Sequence, residues 1–109
     1  MIQKEGADLK KRQQMARILA QGGMDDVHVI SRETAGEVLT PKRVELLEAL
    51  RDDDGHSVRA LARRTARDKG AVSRDLQLLA EHDLVTLEVE GNRKIPRLAH
   101  STIVVEPVI

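Results

Sequence analysis

No Phe, Tyr, Trp or Cys occurs among the 109 residues. Any core this chain builds is therefore aliphatic, filled by Leu, Ile, Val, Ala and three Met. Without Cys there is no disulfide, no thiolate nucleophile and no Cys-based zinc site. Without aromatic rings the usual platform for stacking unpaired bases is missing, which disfavours single-stranded nucleic acid as a ligand. The hydrophobic fraction of 40% suffices for a small core, and the length fits a single domain. No apolar run approaches the roughly 20 residues that a membrane span needs. The N-terminal stretch MIQKEGADLKKRQQ has no apolar segment of the kind found in signal peptides. A cytoplasmic protein without a membrane partner is the expectation.

The formal net charge is zero, which taken whole gives no hint of a polyanionic partner. Resolved along the chain it is a sum of patches. Residues 57–79 carry six basic side chains (Arg59, Arg63, Arg64, Arg67, Lys69, Arg74) against two acidic ones, Asp68 and Asp75. Residues 80–90 carry four acids and no base, and residues 91–97 carry Arg93, Lys94 and Arg97 with no acid. Each basic segment alone reads as an ordinary solvated face. Brought to one side by the fold, the two would form a footprint for nucleic acid.

Hydrophobic periodicity supplies the elements. Residues 7–20 read as a helix with an imperfect stripe of Leu9, Met15, Ala16, Ile18 and Leu19, ended by Gly22-Gly23. The β-branched run 27–31 predicts a short strand, and residues 33–39 a helical turn. Thr40 as N-cap and Pro41 at the first helical position open a helix over 40–51, with Val44, Leu46, Leu47 and Leu50 inward. Asp52-Asp53-Asp54-Gly55 ends it. Ser57 caps a short helix over 58–64, with Val58, Leu61 and Ala62 inward. After the tight connection Thr65-Ala66-Arg67, Asp68 caps a helix over 69–82 whose buried stripe is Val72, Leu76 and Leu79. Its other face carries Gly70, Ser73, Arg74 and Gln77 at helical spacing. Residues 84–90 alternate as a half-buried strand, with Val85, Leu87 and Val89 on one face. Gly91-Asn92 supplies a turn. A return strand starts near Lys94, and Pro96 confines it to an edge. Ile103-Val104-Val105 is a last short strand.

Helix, short helix, tight turn, helix and hairpin is the order of a winged helix-turn-helix. The expected class is α+β, mostly α: a three-helix core with a β-hairpin wing, an N-terminal helix and short flanking strands. In such a fold the helix over 69–82 enters the major groove. Arg74 suits guanine, Gln77 suits adenine, and Ser73 is less discriminating. Lys69 and Ser73 contact phosphates or are simply solvated, and Gly70 lies on the same DNA-facing side. Arg63, Arg64 and Arg67 flank the phosphates, or pair with the run Asp52–Asp54. Arg74 reads a base edge, or pairs with Asp75 or Glu81. The hairpin tip, Arg93 and Lys94 with Arg97, contacts phosphate or the minor groove. The turn lacks the Gly often found there.

The stretch LTPKRVELLEALRDDDGHSVRALARRTARDKGAVSRDLQLLAEHDLV resembles small prokaryotic winged helix-turn-helix DNA-binding proteins, more narrowly the single-domain predicted regulators of archaea and bacteria. The matched features are Leu39-Thr40-Pro41-Lys42-Arg43, Ser57-Val58-Arg59, Leu61-Ala62, Arg67-Asp68, Ser73-Arg74-Asp75-Leu76, Leu78-Leu79 and Leu84-Val85. The ending, Lys94-Ile95-Pro96-Arg97 followed by Ile103-Val104-Val105-Glu106, fits as well. The resemblance covers about residues 27–106. It implies sequence-specific binding of double-stranded DNA and transcriptional control. Some members resemble antitoxins that bind a toxin and repress their own operon. The sequence departs at His82-Asp83, where the pattern usually has Gly.

The expected function is accordingly a homodimeric DNA-binding repressor, with a toxin-neutralising antitoxin as the alternative. Residues 1–23 are expected to form a helical extension serving in dimerisation or as an arm, and residues 24–109 the DNA-binding domain. Apolar faces on the helix 7–20 and on the strands 27–31 and 102–106 are candidate dimer surfaces, and the last strand offers an edge for strand addition by a toxin. RNA binding by duplex shape is a weaker possibility. The four His (His28, His56, His82, His100) are scattered, with no i, i+4 pair, so no metal site or other cofactor is expected. No Ser-His-Asp constellation and no glycine-rich phosphate loop can be assembled, so the chain is not expected to be an enzyme.

Overall fold

The three helices predicted around the tight turn form because each has one aliphatic face and a cap at its start. In the computed structural model, which describes residues 2–24, 26–52 and 55–106, these are α3 (Pro41–Asp52), α4 (Val58–Arg64) and α5 (Lys69–Glu81). Before them come α1 (Ile2–Gln21), β1 (Val27–Ile30) and α2 (Arg32–Val38). After them come β2 (Val85–Glu90), β3 (Arg93–Leu98) and β4 (Thr102–Val105). Among the described residues no helix is long and apolar enough to cross a membrane. The chain divides into two units, Val38–Ala99 and a second made of residues 1–37 with 100–109.

The Val38–Ala99 unit is built on the predicted stripes. Leu46, Leu47 and Leu50 of α3, Val58, Leu61 and Ala62 of α4, and Val72, Leu76 and Leu79 of α5 are all buried. Leu84, Val85 and Ile95 complete this aliphatic core. α5 packs against α3, α4 and β2, and β3 packs against α3 and α4. β2 and β3 form an antiparallel hairpin running from Val85↔Leu98 to Glu90↔Arg93. Gly91, at φ 61°, takes the first position of the two-residue loop, where a positive φ is required. Pro96 sits on a strand with no neighbour beyond it among the described residues, as its missing N–H demands. The expectation for Val89 needs correction. It lies one step before the tip, past the last core residue, and is 70% exposed.

Ser57 and Asp68 cap α4 and α5 as expected: their side-chain oxygens accept from the Ala60 and Ala71 N–H groups, each at 3.1 Å. The missing glycines have a specific replacement. At the end of α4, Ala66 adopts φ 55°, and the N–H groups of Ala66 and Arg67 donate back to the carbonyls of Arg63 and Ala62. At the end of α5, Asp83 adopts φ 60°, and Asp83 and Leu84 donate to Ala80 and Leu79. Both are Schellman motifs, in which the left-handed residue is usually Gly. Here Ala and Asp hold that position, and Leu84 packs into the core beside Leu79. Thr65 adds a hydroxyl bond to the Leu61 carbonyl at 2.9 Å.

The second unit is organised by β1 and β4. They pair in parallel over Val27↔Thr102 to Ile30↔Val105, a pairing that the sequence did not indicate. α1 packs on β1, and its Arg12 reaches Glu106 at 3.7 Å. Of the α1 stripe, Met15, Ala16 and Leu19 are part-buried, whereas Leu9 and Ile18 are exposed. Asp26 ties the two strand starts together. One carboxylate oxygen lies 3.0 Å from His100 Nδ1; the other accepts from the Ser101 N–H at 2.9 Å and hydroxyl at 3.0 Å. The His100 bond, with those from Ser101, holds the Asp26 carboxyl below the usual carboxylate range. The His28 and His100 rings stack at 4.8 Å. Among the described residues no group of His, Cys, Asp or Glu is arranged to hold a metal ion.

Candidate nucleic-acid interface

The two basic segments of the sequence meet within the Val38–Ala99 unit. A groove of about 590 Å³ runs between the first turns of α4, the start of α5 and the hairpin tip. Arg59, Arg63, Lys69, Arg93 and Lys94 line it, with Ser57, Ser73 and Asn92 between them and no carboxylate. Four of the sequence-predicted cations and Ser73 therefore share one concavity. None of these five cations forms an ion pair among the described residues. Five like charges left unpaired on one wall self-repel, and an anion entering the groove relieves that repulsion. The sequence placed Arg59 in the basic segment 57–79 but assigned it no DNA contact. Its signal was the spacing of Arg59 and Arg63, one helical turn apart on the same face of α4.

On α5, Lys69, Gly70, Arg74 and Gln77 are exposed and Ser73 is half-buried, while the opposite stripe is in the core. One amphipathic helix thus holds itself in the fold with Val72, Leu76 and Leu79 and presents hydrogen-bonding side chains outward. Arg74 folds back toward the start of the helix. A Cβ added at Gly70 would lie 3.4 Å from its guanidinium and 3.1 Å from the capping Asp68 carboxylate. Gly70 thus keeps room for both groups.

Two other basic side chains are engaged inside the protein. Arg67 turns inward: its Nη2 donates to Asp75 Oδ2 at 2.7 Å, and its side chain is only 14% exposed. Arg43 of α3 donates to the other Asp75 oxygen at 3.1 Å and to the Val38 carbonyl at 3.3 Å. Burial alone pushes the Asp75 carboxyl up, but the bonds from Arg67 and Arg43 outweigh it and hold it below its ordinary value. One α5 carboxylate thereby pins the helix to α3 and to the turn before it. Arg67 does this at a cost, since its Nη1 is buried without a partner among the described residues. Its place in the structure is that of a residue setting the helix rather than reaching outward. Arg97 pairs with Glu88 at 2.7 Å across the hairpin. Arg64 is exposed at the end of α4 with its Nη1 3.3 Å from His56 Nε2. Of the acidic run 52–54, Asp52 pairs with the adjacent Arg51 at 3.2 Å, and Asp53 and Asp54 lie outside the described residues.

Comparison with known proteins agrees with this geometry. No curated protein matches the chain in sequence. Among solved structures, the homodimeric winged helix-turn-helix DNA-binding domain of a possible ArsR-family transcriptional regulator from Mycobacterium bovis is similar. It shares 29% identity at a TM-score of 0.56, over 62% of this chain and 62% of that one. A possible transcriptional regulator for arsenical resistance is 32% identical, with a TM-score of 0.51 over 61% of this chain and 65% of that one. This chain therefore spans less than two thirds of either protein's length. A predicted DNA-binding transcriptional regulator from E. coli matches more of this chain, 87% of it and 84% of its own length, at a TM-score of 0.59 and 20% identity. That match speaks for the fold alone. The fold is a winged helix-turn-helix shared with transcriptional regulators, α+β and mostly α. The sequence model of the HVO_A0114 family matches residues 38–105, which takes in the whole three-helix core, the hairpin and β4. The chain belongs to the HVO_A0114 family.

Proposed function

We propose that this protein is a sequence-specific regulator of transcription that binds double-stranded DNA as a homodimer and represses. The observation that carries the reading is the unpaired cationic groove between α4, α5 and the hairpin tip. In this reading α5 lies in the major groove. Arg74 and Gln77 meet base edges, Ser73 and Gly70 lie close to them, and Lys69 contacts the backbone. A phosphate strand passes through the groove between α5 and the wing, held by Arg59, Arg63, Arg93 and Lys94. Arg64, exposed at the end of α4 and outside the groove lining, adds a further cation toward the backbone. Residues 1–23 are a helical extension that serves as an arm or adds to the dimer contact, and residues 24–109 carry the DNA-binding work. Helix-turn-helix dimers read two half-sites roughly 34–36 Å apart, so a palindromic site is expected.

Selection from a random duplex pool, followed by fluorescence titration on the selected site, tests this. Arg74→Ala should weaken binding to that site by about 5- to 150-fold and relax one base position, the range for removing a side chain that reads a base edge. Lys94→Ala should weaken binding to all duplexes alike and lower the salt slope by about 1. A protein that binds every duplex equally, with Arg74→Ala indistinguishable from wild type, is not a sequence reader and the proposal fails. Binding to duplex RNA of the same sequence as tightly as to DNA would also sink it.

A further inference from the structure

The unit built around α1 ends in an unfinished sheet. Among the described residues β1 and β4 pair only with each other, in an unbroken register. Parallel strands are ordinarily covered and extended on both sides. An edge left open is normally blunted by charge, proline or a bulge. β4, Thr102-Ile103-Val104-Val105, has none of these.

The backbone of β4 has a definite orientation. The Glu106 N–H donates to the Ile30 carbonyl of β1 at 2.8 Å. Alternate residues of a strand point their N–H and C=O groups to opposite sides. Val104 and Thr102 therefore face β1, whereas Ile103 and Val105 direct their peptide groups to the open edge. The next outward residue, Ser101, is already engaged, since its N–H is held by Asp26. The free template is thus a pair of residues, 103 and 105, symmetric about Val104. Four of the large exposed hydrophobics (Leu9, Ile18, Met24 and Val105) also belong to this unit.

We infer that this edge is where two copies of the chain join. β4 of one copy pairs antiparallel with β4 of the second about a two-fold axis beside Val104, giving a four-stranded sheet in the order β1-β4-β4-β1. The inference rests on the homodimer reading above and names its interface. In this register Ile103 and Val105 of each copy exchange four backbone hydrogen bonds with Val105 and Ile103 of the second. Ile103 of one copy lies beside Val105 of the other on one face, and the two Val104 side chains meet on the opposite face. Thr102 stands across from Glu106, so no like charges oppose each other. An open strand edge requires another strand, and β4 against β4 closes after two copies. Pairing β4 with the free edge of β1 would instead run on as a filament.

Two substitutions in the full chain test this. Val105→Pro removes an N–H that points outward and leaves the bonds to β1, so it should convert a dimer to a monomer in light scattering and weaken self-association by at least about 100-fold, as expected when a proline occupies a pairing edge. Val104→Cys places two thiols across the axis. Residues directly opposite in a non-hydrogen-bonded antiparallel pair have Cα atoms about 4.5 Å apart, within disulfide range. The chain has no Cys of its own, so mild oxidation should yield one covalent dimer on a non-reducing gel. Thr102→Cys should not cross-link, because the two residues 102 lie about 13 Å apart in this register. A wild-type dimer in which Val104→Cys fails to cross-link overturns this interface and leaves the homodimer reading standing. A wild-type protein that is monomeric at every concentration ends both. If Val105→Pro fails to fold by circular dichroism, the cysteine pair alone decides.

Discussion

Exchanging Lys69 and Arg93 together for glutamate is expected to cut affinity for the selected duplex by at least about 100-fold and to lower the slope of log K against log salt by about 2, one for each cation withdrawn from the phosphate strand. The two residues come from α5 and from the hairpin tip, and they line the same groove. The size of the effect follows from the company they keep. The five cations of the groove have no carboxylate among them, so the substitution removes two attractions and also adds two repulsions against the same phosphate strand. The sign of the effect on folding is opposite. Relieving crowded like charges should leave the melting temperature equal or higher. Binding lost together with stability would mean that the pair is structural. Binding lost with stability kept or raised identifies a surface built for an anion. Isothermal binding and a thermal melt on the same preparation are sufficient.

Asp75→Ala is expected to destabilise the fold by about 3 kcal/mol, the low end for removing one partner of a buried charge pair. The low end applies because the Asp75 and Arg67 side chains keep 17% and 14% of their exposure. For a domain of this size that is a fall of roughly 10–20 °C in Tm. The loss is large because one carboxylate serves two guanidinium groups, so its removal takes an ion-pair partner from Arg43 and from Arg67 at once. The contribution depends on acid in a definite direction. The carboxyl of Asp75 is held below its ordinary value of 3.8 in the folded protein. Its stabilisation is therefore fully present above that ordinary value and is lost as pH falls through the lowered one. The gap in stability between wild type and Asp75→Asn should be constant near neutrality and should close only in strong acid. DNA affinity should fall in the alanine variant as well, because Arg74 immediately precedes Asp75 on the same helix. A wild-type melting temperature in Asp75→Ala would show that α5 is set by its apolar stripe alone.

The core and the order of elements were legible because each helix of the Val38–Ala99 unit carries a complete local statement. Ser57 with Val58, Leu61 and Ala62, and Asp68 with Val72, Leu76 and Leu79, give a cap followed by a stripe at helical spacing. Caps and stripes are short-range features, and the structure keeps both. The helix stops were harder, because Ala66 and Asp83 occupy left-handed positions where a reader looks for Gly. Nothing in a side chain announces that its backbone will be forced to positive φ by two carbonyl acceptors behind it. The roles of the cations were only half legible. Lys69, Arg93 and Lys94 fall on one groove, but Arg67 looks the same in sequence and turns inward to Asp75. The deciding partner, Arg43, lies 32 residues before Asp75. The parallel pairing of β1 with β4 was invisible for the same reason, since its partners are more than 70 residues apart and each strand is only four residues long.

That long separation makes the small sheet thermodynamically dependent on what lies between its strands. Ile30 and Thr102 bracket about 70 residues, and closing a flexible loop of that length costs about 4 kcal/mol of chain entropy. Eight strand residues cannot supply that from their own ladder. With the three-helix core folded, the intervening chain is no longer a flexible loop, and most of this cost has already been met by the core. The sheet should therefore form last and melt first. Amide exchange at Ile30 and Val104, whose N–H groups face the partner strand, would then report on the intactness of the helical core as well as on the strands that contain them.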